Sequence, residues 1–343
     1  MKKFVMNTLN GSAMGVVIAL IPMALLGELV KALSQIYSPL TSVMQLLSMT
    51  SSLLGLAIGV SVAYFFKANA IESASVGIAT MLAGGAIQIA ENNTFLLKGT
   101  GDIITMSVTA GLAMGCLLVI RPYVKGYAIL MTSPISVVIA GGIGRLLLPY
   151  FVYITKTIGN GISHLLTLEQ TLMCILLSII FAYLIVSPIS SVGIGIAISV
   201  TGVGSGAANL GICAAMFALA IAGRRVNSRG ICLVHVIGSP KISMANIIAH
   251  PILFLPIAIN ATVLGILASI FAIQGTPMSA GFGLSGLVGP LTHLSITGWS
   301  FINTLFTVTI FVVVPCVLAC LNDYVFVNKL KWIKPEYYRI ELS

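Results

Sequence analysis

Gln274-Gly-Thr-Pro-Met-Ser-Ala-Gly-Phe-Gly-Leu-Ser-Gly-Leu-Val-Gly-Pro290 decides how this chain folds. Its five glycines and two prolines make a poor continuous helix, yet it carries no charge that would suit an aqueous loop. Broken backbone at membrane depth survives only where protein buries it or a polar cavity solvates it. The segment lies inside a longer run, Ile242 to Asn322, of 81 residues without Asp, Glu, Lys or Arg. One helical crossing of a bilayer uses about 20 apolar residues, so the run holds two crossings and residues to spare. That surplus points to the core of a transporter or channel.

The rest of the chain agrees. Mean hydropathy is +1.10. Hydrophobic residues make up 58% and charged residues 7%, against about 25% charged in a soluble domain. A second charge-free run covers Gln170 to Gly223. Such unbroken runs lack the alternation of a β-barrel. The fold class is therefore an all-α polytopic membrane protein with about 8–10 transmembrane helices.

Full crossings are expected near 11–33, 43–66, 71–90, 103–120, 127–152, 170–188, 250–273 and 299–321. The first is read as a retained helix and not a cleaved signal. With both termini inside, the inner loops collect Lys2, Lys3, Lys67, Arg121, Lys125, Arg224, Arg225, Arg229, Lys241, Lys329, Lys331, Lys334 and Arg339. The positive-inside rule thus puts both termini in the cytoplasm. The net charge of +9 follows from this topology facing anionic lipid, and no nucleic-acid partner is expected. Residues 1–322 form a single transmembrane domain and 323–343 a basic cytoplasmic tail.

Two stretches break the count. If 193–222 spanned, Arg224, Arg225 and Arg229 would lie outside; its centre, Thr201-Gly-Val-Gly-Ser-Gly-Ala-Ala-Asn-Leu-Gly211, is rich in small residues. It is read as a re-entrant hairpin from the cytoplasm, and 275–298 as one from outside. Their tips would meet near the midplane, where carriers hold substrate between broken helices. A plain ten-helix topology is the alternative.

Candidate ligand contacts follow from these breaks. Gly204, Ser205, Gly206 and Asn209 lie in the first hairpin, Ser279 and Gly283 in the second. His250 precedes Pro251, and Asn260 stands near the same disruption. Hydroxyls, amides and a neutral imidazole suit a polyol. Each also has a bland reading, a helix-packing hydrogen bond. Glu72, at the start of the third apolar run, reads equally as a functional intramembrane acid or as a first-turn Glu favoured by the helix dipole. Glu28 with Lys31 reads as a helix-face ion pair, Asp102 as a helix cap, and Thr167-Leu-Glu-Gln170 as a capping box. The six cysteines have no metal spacing. No catalytic residue, metal or cofactor is expected.

The Gly-rich segment 201–211, the basic turn Arg224–Arg229, Gly238-Ser-Pro-Lys241, Ala249-His-Pro251 and Gly275–Pro290 together resemble the membrane-embedded IIC component of the bacterial sugar phosphotransferase system. The likeness is to its stand-alone, perfringolysin O regulator-like branch. The resemblance implies a homodimer in the bacterial cytoplasmic membrane with two re-entrant hairpins around a sugar site. It also implies separate IIA and IIB partner proteins, since phosphoryl transfer needs them. Glucose-type relatives use a carboxylate in the first hairpin region, whereas this chain has no acid from 170 to 322. The leading expectation is a carrier of a sugar or related polyol. The alternatives are a non-transporting membrane sensor or regulator with this fold, and an ion-coupled secondary carrier.

Overall fold

The computed structural model describes residues 2–340 apart from Gln35, Glu91 and Asn93. The described residues fall into two compact units, 2–154 and Thr155–Ile340.

The first unit opens with α1 (Lys2–Ser34), α2 (Leu40–Ser52), α3 (Leu54–Phe65) and α4 (Ala70–Ala83). Helix α1 packs so closely on α3 that a Cβ added at Gly11 or Gly15 would collide with the Val62 or Ile58 backbone. Likewise α3 meets α4 glycine to glycine, a Cβ on Gly59 lying 2.6 Å from the Gly77 Cα. Small residues that let backbones approach are how helices associate in a bilayer, where lipid removes the hydrophobic incentive. Beneath them Val16, Leu54, Ile58, Val62, Val76, Met106 and Met114 form the core. The expected ion pair of Glu28 lies outside the described side chains.

The crossing expected at 43–66 is bent by 52° between α2 and α3. The one expected at 71–90 is helical only to Ala83. Gly84 caps it, Gly85 takes φ +82°, and the chain turns into a hairpin of β1 (Ile87–Ile89) and β2 (Phe95–Leu97). Asp102 does cap the next helix, α5 (Ile103–Val124), its carboxylate accepting from the Thr105 N–H at 2.7 Å. Then come α6 (Ala128–Ile135) and α7 (Gly142–Ser163), joined by a π-helical stretch. The boundary between the units falls within α7.

The second unit is organised around α10 (Gly202–Gly223), preceded by α8 (Gln170–Ile185) and α9 (Ser191–Ala197). Every residue of α10 from Gly204 to Ala220 is buried. A helix apolar all round belongs in the middle of a bundle, and here α8 and the helix Phe254–Ile270 flank it. Phe181, Leu177, Leu210, Ile212, Ile257, Leu264 and Phe311 fill the core. The remaining helices are α11 (Arg229–Leu233), α12 (Met244–Ala249), α13 (Phe254–Ile270), α14 (Val288–Thr297), α15 (Phe301–Val308) and α16 (Val314–Asp323).

The cap of α8 sits two residues on from the Thr167 cap of the box expected at 167–170. Glu169, not Thr167, accepts from the backbone N–H groups of Thr171 and Leu172, because His164–Thr167 is already a 3-10 turn. Those N–H donors hold the Glu169 carboxyl below its ordinary value. A depressed carboxyl pKa adds stability above the unfolded value and loses it as pH falls through the folded one. Glu169→Gln is therefore expected to lower the melting temperature at neutral pH and to converge on wild type as pH falls below about 4.5, which a melting-temperature profile against pH checks.

Among the described residues, six helical stretches are long and apolar enough to cross a membrane: Lys3–Met23, Ile103–Val124, Ala128–Thr167, Gly202–Gly223, Pro251–Ile270 and Phe301–Lys329. The bent α2–α3 pair makes a seventh, and α4 and α8 are shorter apolar helices. This is a multi-pass α-helical membrane architecture. Of the two expected hairpins, 193–222 consists of the short α9, a turn and the 22-residue α10. The stretch 275–298 is an irregular loop with Gly283, Gly286 and Leu287 at positive φ, followed by α14.

Candidate functional site

The two glycine-rich segments meet in the second unit. Gly202 and Gly275 exchange a pair of backbone hydrogen bonds, each 3.0 Å. One step further in, the Ser205 hydroxyl donates to the Thr276 carbonyl at 2.8 Å and lies 3.5 Å from the Ser279 hydroxyl. Ser279 in turn accepts from the Thr276 N–H at 2.9 Å. Asn209, a full turn along α10, accepts from the Gly283 N–H at 3.0 Å. Gly283 sits at φ +60° with its Cα hydrogen facing Ile212, a place no larger residue fits. The root of the loop is tied as well, Ser191 donating to the Gly281 carbonyl and Ser285 to that of Gly238.

Ser205, Asn209 and Ser279 are buried at this junction, while Thr201, Gly202, Gln274 and Thr276 form its more open rim. One donor is unspent. The Asn209 side-chain nitrogen is buried without a partner, and an orphaned buried amide costs about 1–3 kcal/mol. Among the described residues the polar groups gathered here are hydroxyls, amides, backbone groups and the His293 imidazole, a set that hydrogen-bonds a neutral hydroxylated ligand.

The structure thus gathers Ser205, Gly206, Asn209, Ser279 and Gly283 at one place, while Gly204 on the same helix faces Val200 and Leu177 instead. The other three candidates stand elsewhere. His250 stacks on Tyr337 of the C-terminal segment, ring centroids 3.9 Å apart. Asn260 accepts from the side-chain amide of Asn322 and keeps its own nitrogen unpartnered. Glu72 belongs to the first unit, where Arg121 grips it with two hydrogen bonds of 2.9 Å. It also closes a capping box with Asn69, so Glu72 stands in the first turn of α4 and takes part in a distant ion pair.

Residues that sequence reasoning passed over support the junction. Gln274 and Thr276 were inside the quoted segment, and their polarity in an uncharged run was the available signal. The Gln274 N–H donates to His293 Nδ1 at 3.0 Å, which leaves the ring proton on Nε2. Lys241, buried, donates to the carbonyls of Leu184, Ser187 and Ile189 at 3.2, 2.6 and 2.8 Å. It ties down the link between α8 and α9. Nothing in the sequence separates this lysine from the other cationic loop residues.

The C-terminal segment is no loose tail. The helix continues past 322 to Lys329, and Ile333 and Tyr338 are buried. Asn246 donates to the carbonyls of Tyr337 and Arg339, both at 2.8 Å, and Asn227 brackets Tyr338 and Ile340. Asp323, buried, pairs with Arg225 at 2.8 Å and Arg224 at 3.5 Å.

The sequence model of the family described as "Phosphotransferase system, EIIC" matches residues 6–340. No curated protein and no solved structure matches the chain. The match covers nearly the whole length, and the chain belongs to the EIIC family of the phosphotransferase system.

Proposed function

We propose that this EIIC-family protein binds a sugar or related polyol where segments 201–211 and 275–290 meet, and carries it across the bacterial cytoplasmic membrane. The observation that carries the reading is the unspent Asn209 amide, held against Gly283 and Gly289 one helical turn from Ser205, whose hydroxyl lies 3.5 Å from that of Ser279. Buried polar groups are ordinarily satisfied. A ligand hydroxyl would satisfy this one, and the glycines let backbone groups reach the same ligand. Separation of the two segments opens the junction, and movement of the hairpin-bearing part would expose it alternately to each side. Both termini face the cytoplasm in this reading, and the working form is a homodimer. Separate IIA and IIB proteins would couple uptake to phosphorylation.

The test is a thermal-shift screen of the purified protein with free sugars, polyols and sugar phosphates, since specific binding raises the melting temperature whatever the coupling. Asn209→Leu is expected to weaken the best ligand at least tenfold, about 1.4 kcal/mol, with little change in the ligand-free melting temperature. Undiminished affinity in that variant would remove the site. Uptake measured with and without phosphoenolpyruvate then decides the coupling.

A second reading, a membrane sensor of the perfringolysin O regulator-like branch, is favoured by the docked C-terminal segment. Asn246 and His250 bind that segment directly, so a change near them would be passed to a cytoplasmic surface. Ligand binding without uptake in proteoliposomes would select it.

A further inference from the structure

The first unit contains a polar pocket that the sugar reading does not use. It has a volume of about 240 Å³, far above the roughly 10–15 Å³ that a single water needs. Lys67, Asn69, Glu72, Arg121 and Thr132 supply its polar lining, and Leu117, Ile120, Val124 and Ala128 its apolar wall. Within one lining stand two cations and a single carboxylate, a net charge of +1.

That carboxylate is already committed. Both Glu72 oxygens are held by Arg121, and one also accepts from the Asn69 N–H at 3.0 Å. Arg121 spends only its Nε and one terminal nitrogen on this pair, and its side chain remains 44% exposed. A guanidinium offers five N–H donors, so donors remain for a second anion. Glu72 fixes the orientation of the fork without exhausting it. Lys67 takes the left-handed cap position that ends α3, φ +55°, with the Ala68 N–H bonded back to the Ala63 carbonyl, and this turn sets it at the pocket edge. Thr132, buried in α6, also lines the pocket and adds a hydroxyl-bearing side chain.

We propose that this pocket binds the phosphate of a phosphate ester, with Lys67 and Arg121 pairing its oxygens and the Leu117–Ile120–Val124 wall covering the organic part. A tetrahedral, multiply accepting anion matches an arginine fork plus an ammonium better than a neutral polyol does. Basic pockets between membrane helices take lipid headgroups by the same chemistry. The ester's source is thus an anionic lipid or a soluble metabolite.

Native mass spectrometry and calorimetry on the full-length protein test this. Phosphatidylglycerol is compared with phosphatidylcholine in one arm, and glycerol phosphate with glycerol in the other. The expected result is saturable binding of the anionic member of at least one pair, preferred at least tenfold. Lys67→Gln is expected to weaken it tenfold or more. So is Ala128→Phe, which fills the pocket and leaves every charge in place. Preference confined to phosphatidylglycerol assigns the site to lipid, and saturation by glycerol phosphate assigns it to a soluble ester. No preference in either arm, or a preference that survives both variants, overturns the proposal. Neither result bears on Asn209, so the sugar site stands or falls separately.

Discussion

Gly206→Ala is expected to cost about 3 kcal/mol and to lower the melting temperature by about 5–10 °C, while Gly204→Ala on the same helix costs far less. Alanine is the better helix former by about 1 kcal/mol, so propensity favours both changes. Their surroundings decide the outcome. A Cβ at Gly206 collides with the Ile273 carbonyl, which is backbone and cannot swing aside. A Cβ at Gly204 meets the Val200 and Leu177 methyl groups at 3.1 and 3.2 Å, and side chains yield by a few tenths of an ångström. To admit a methyl group in place of the Gly206 hydrogen, the chain after α13 must retreat from α10. That breaks the Gly202–Gly275 pair and the Ser205 bond to Thr276. Ligand-induced stabilisation should therefore vanish in Gly206→Ala and persist in Gly204→Ala. Denaturation of the two variants in the same detergent checks this, and equal stabilities would show that the close approach is absent.

That contrast marks what could be read from the residues. Glycine clusters in an uncharged run have few uses besides close backbone approach and broken helix, so segments 201–211 and 275–290 stood out, and so did the candidates they contained. Overall hydropathy announced the membrane helices for an equally simple reason. Partners far apart in sequence were another matter. Glu72 and Arg121 are separated by 49 positions, and each alone reads as an ordinary interfacial charge. His250 looked available for a ligand because proline disrupts the chain beside it. Its neighbour is in fact Tyr337, brought there by asparagines that capture the C-terminal backbone. Nor does periodicity help on α10, whose every face is buried; an amphipathic pattern exists only where one side meets a different medium. The shift of the α8 cap from Thr167 to Glu169 has a local cause, since both residues are competent and the preceding 3-10 turn chooses between them.

Lys241→Met is expected to destabilise the second unit by about 2 kcal/mol at neutral pH, with a deficit that grows as pH rises. Two effects oppose each other. Removing a buried charge relieves its desolvation, and apolar replacement of a buried ion pair is often neutral or stabilising for that reason. Here, however, the acceptors are main-chain carbonyls that the substitution cannot remove. Leu184 O keeps other donors in the Ser187 N–H and hydroxyl. Ser187 O would lose the lysine within a buried residue, at about 1–3 kcal/mol, and Ile189 O would lose it at a partly buried one, at less. The carbonyl losses therefore outweigh the relief. Burial also pulls the Lys241 pKa down to about 7 from its ordinary 10.5. Between those values the unfolded chain holds a proton that the folded chain has released, so wild-type stability rises with pH by up to about 1.4 kcal/mol per unit. The neutral amine still has two N–H groups for Ser187 and Ile189, the two carbonyls without other donors. Methionine has neither the proton nor the donors, so its gap from wild type should widen from about pH 7 to about pH 9. A constant gap would mean that Lys241 keeps its charge throughout. A gap that closed would mean the link between α8 and α9 does not depend on the lysine, and that the loop leading into the glycine-rich junction is positioned by α9 and Ser191 alone.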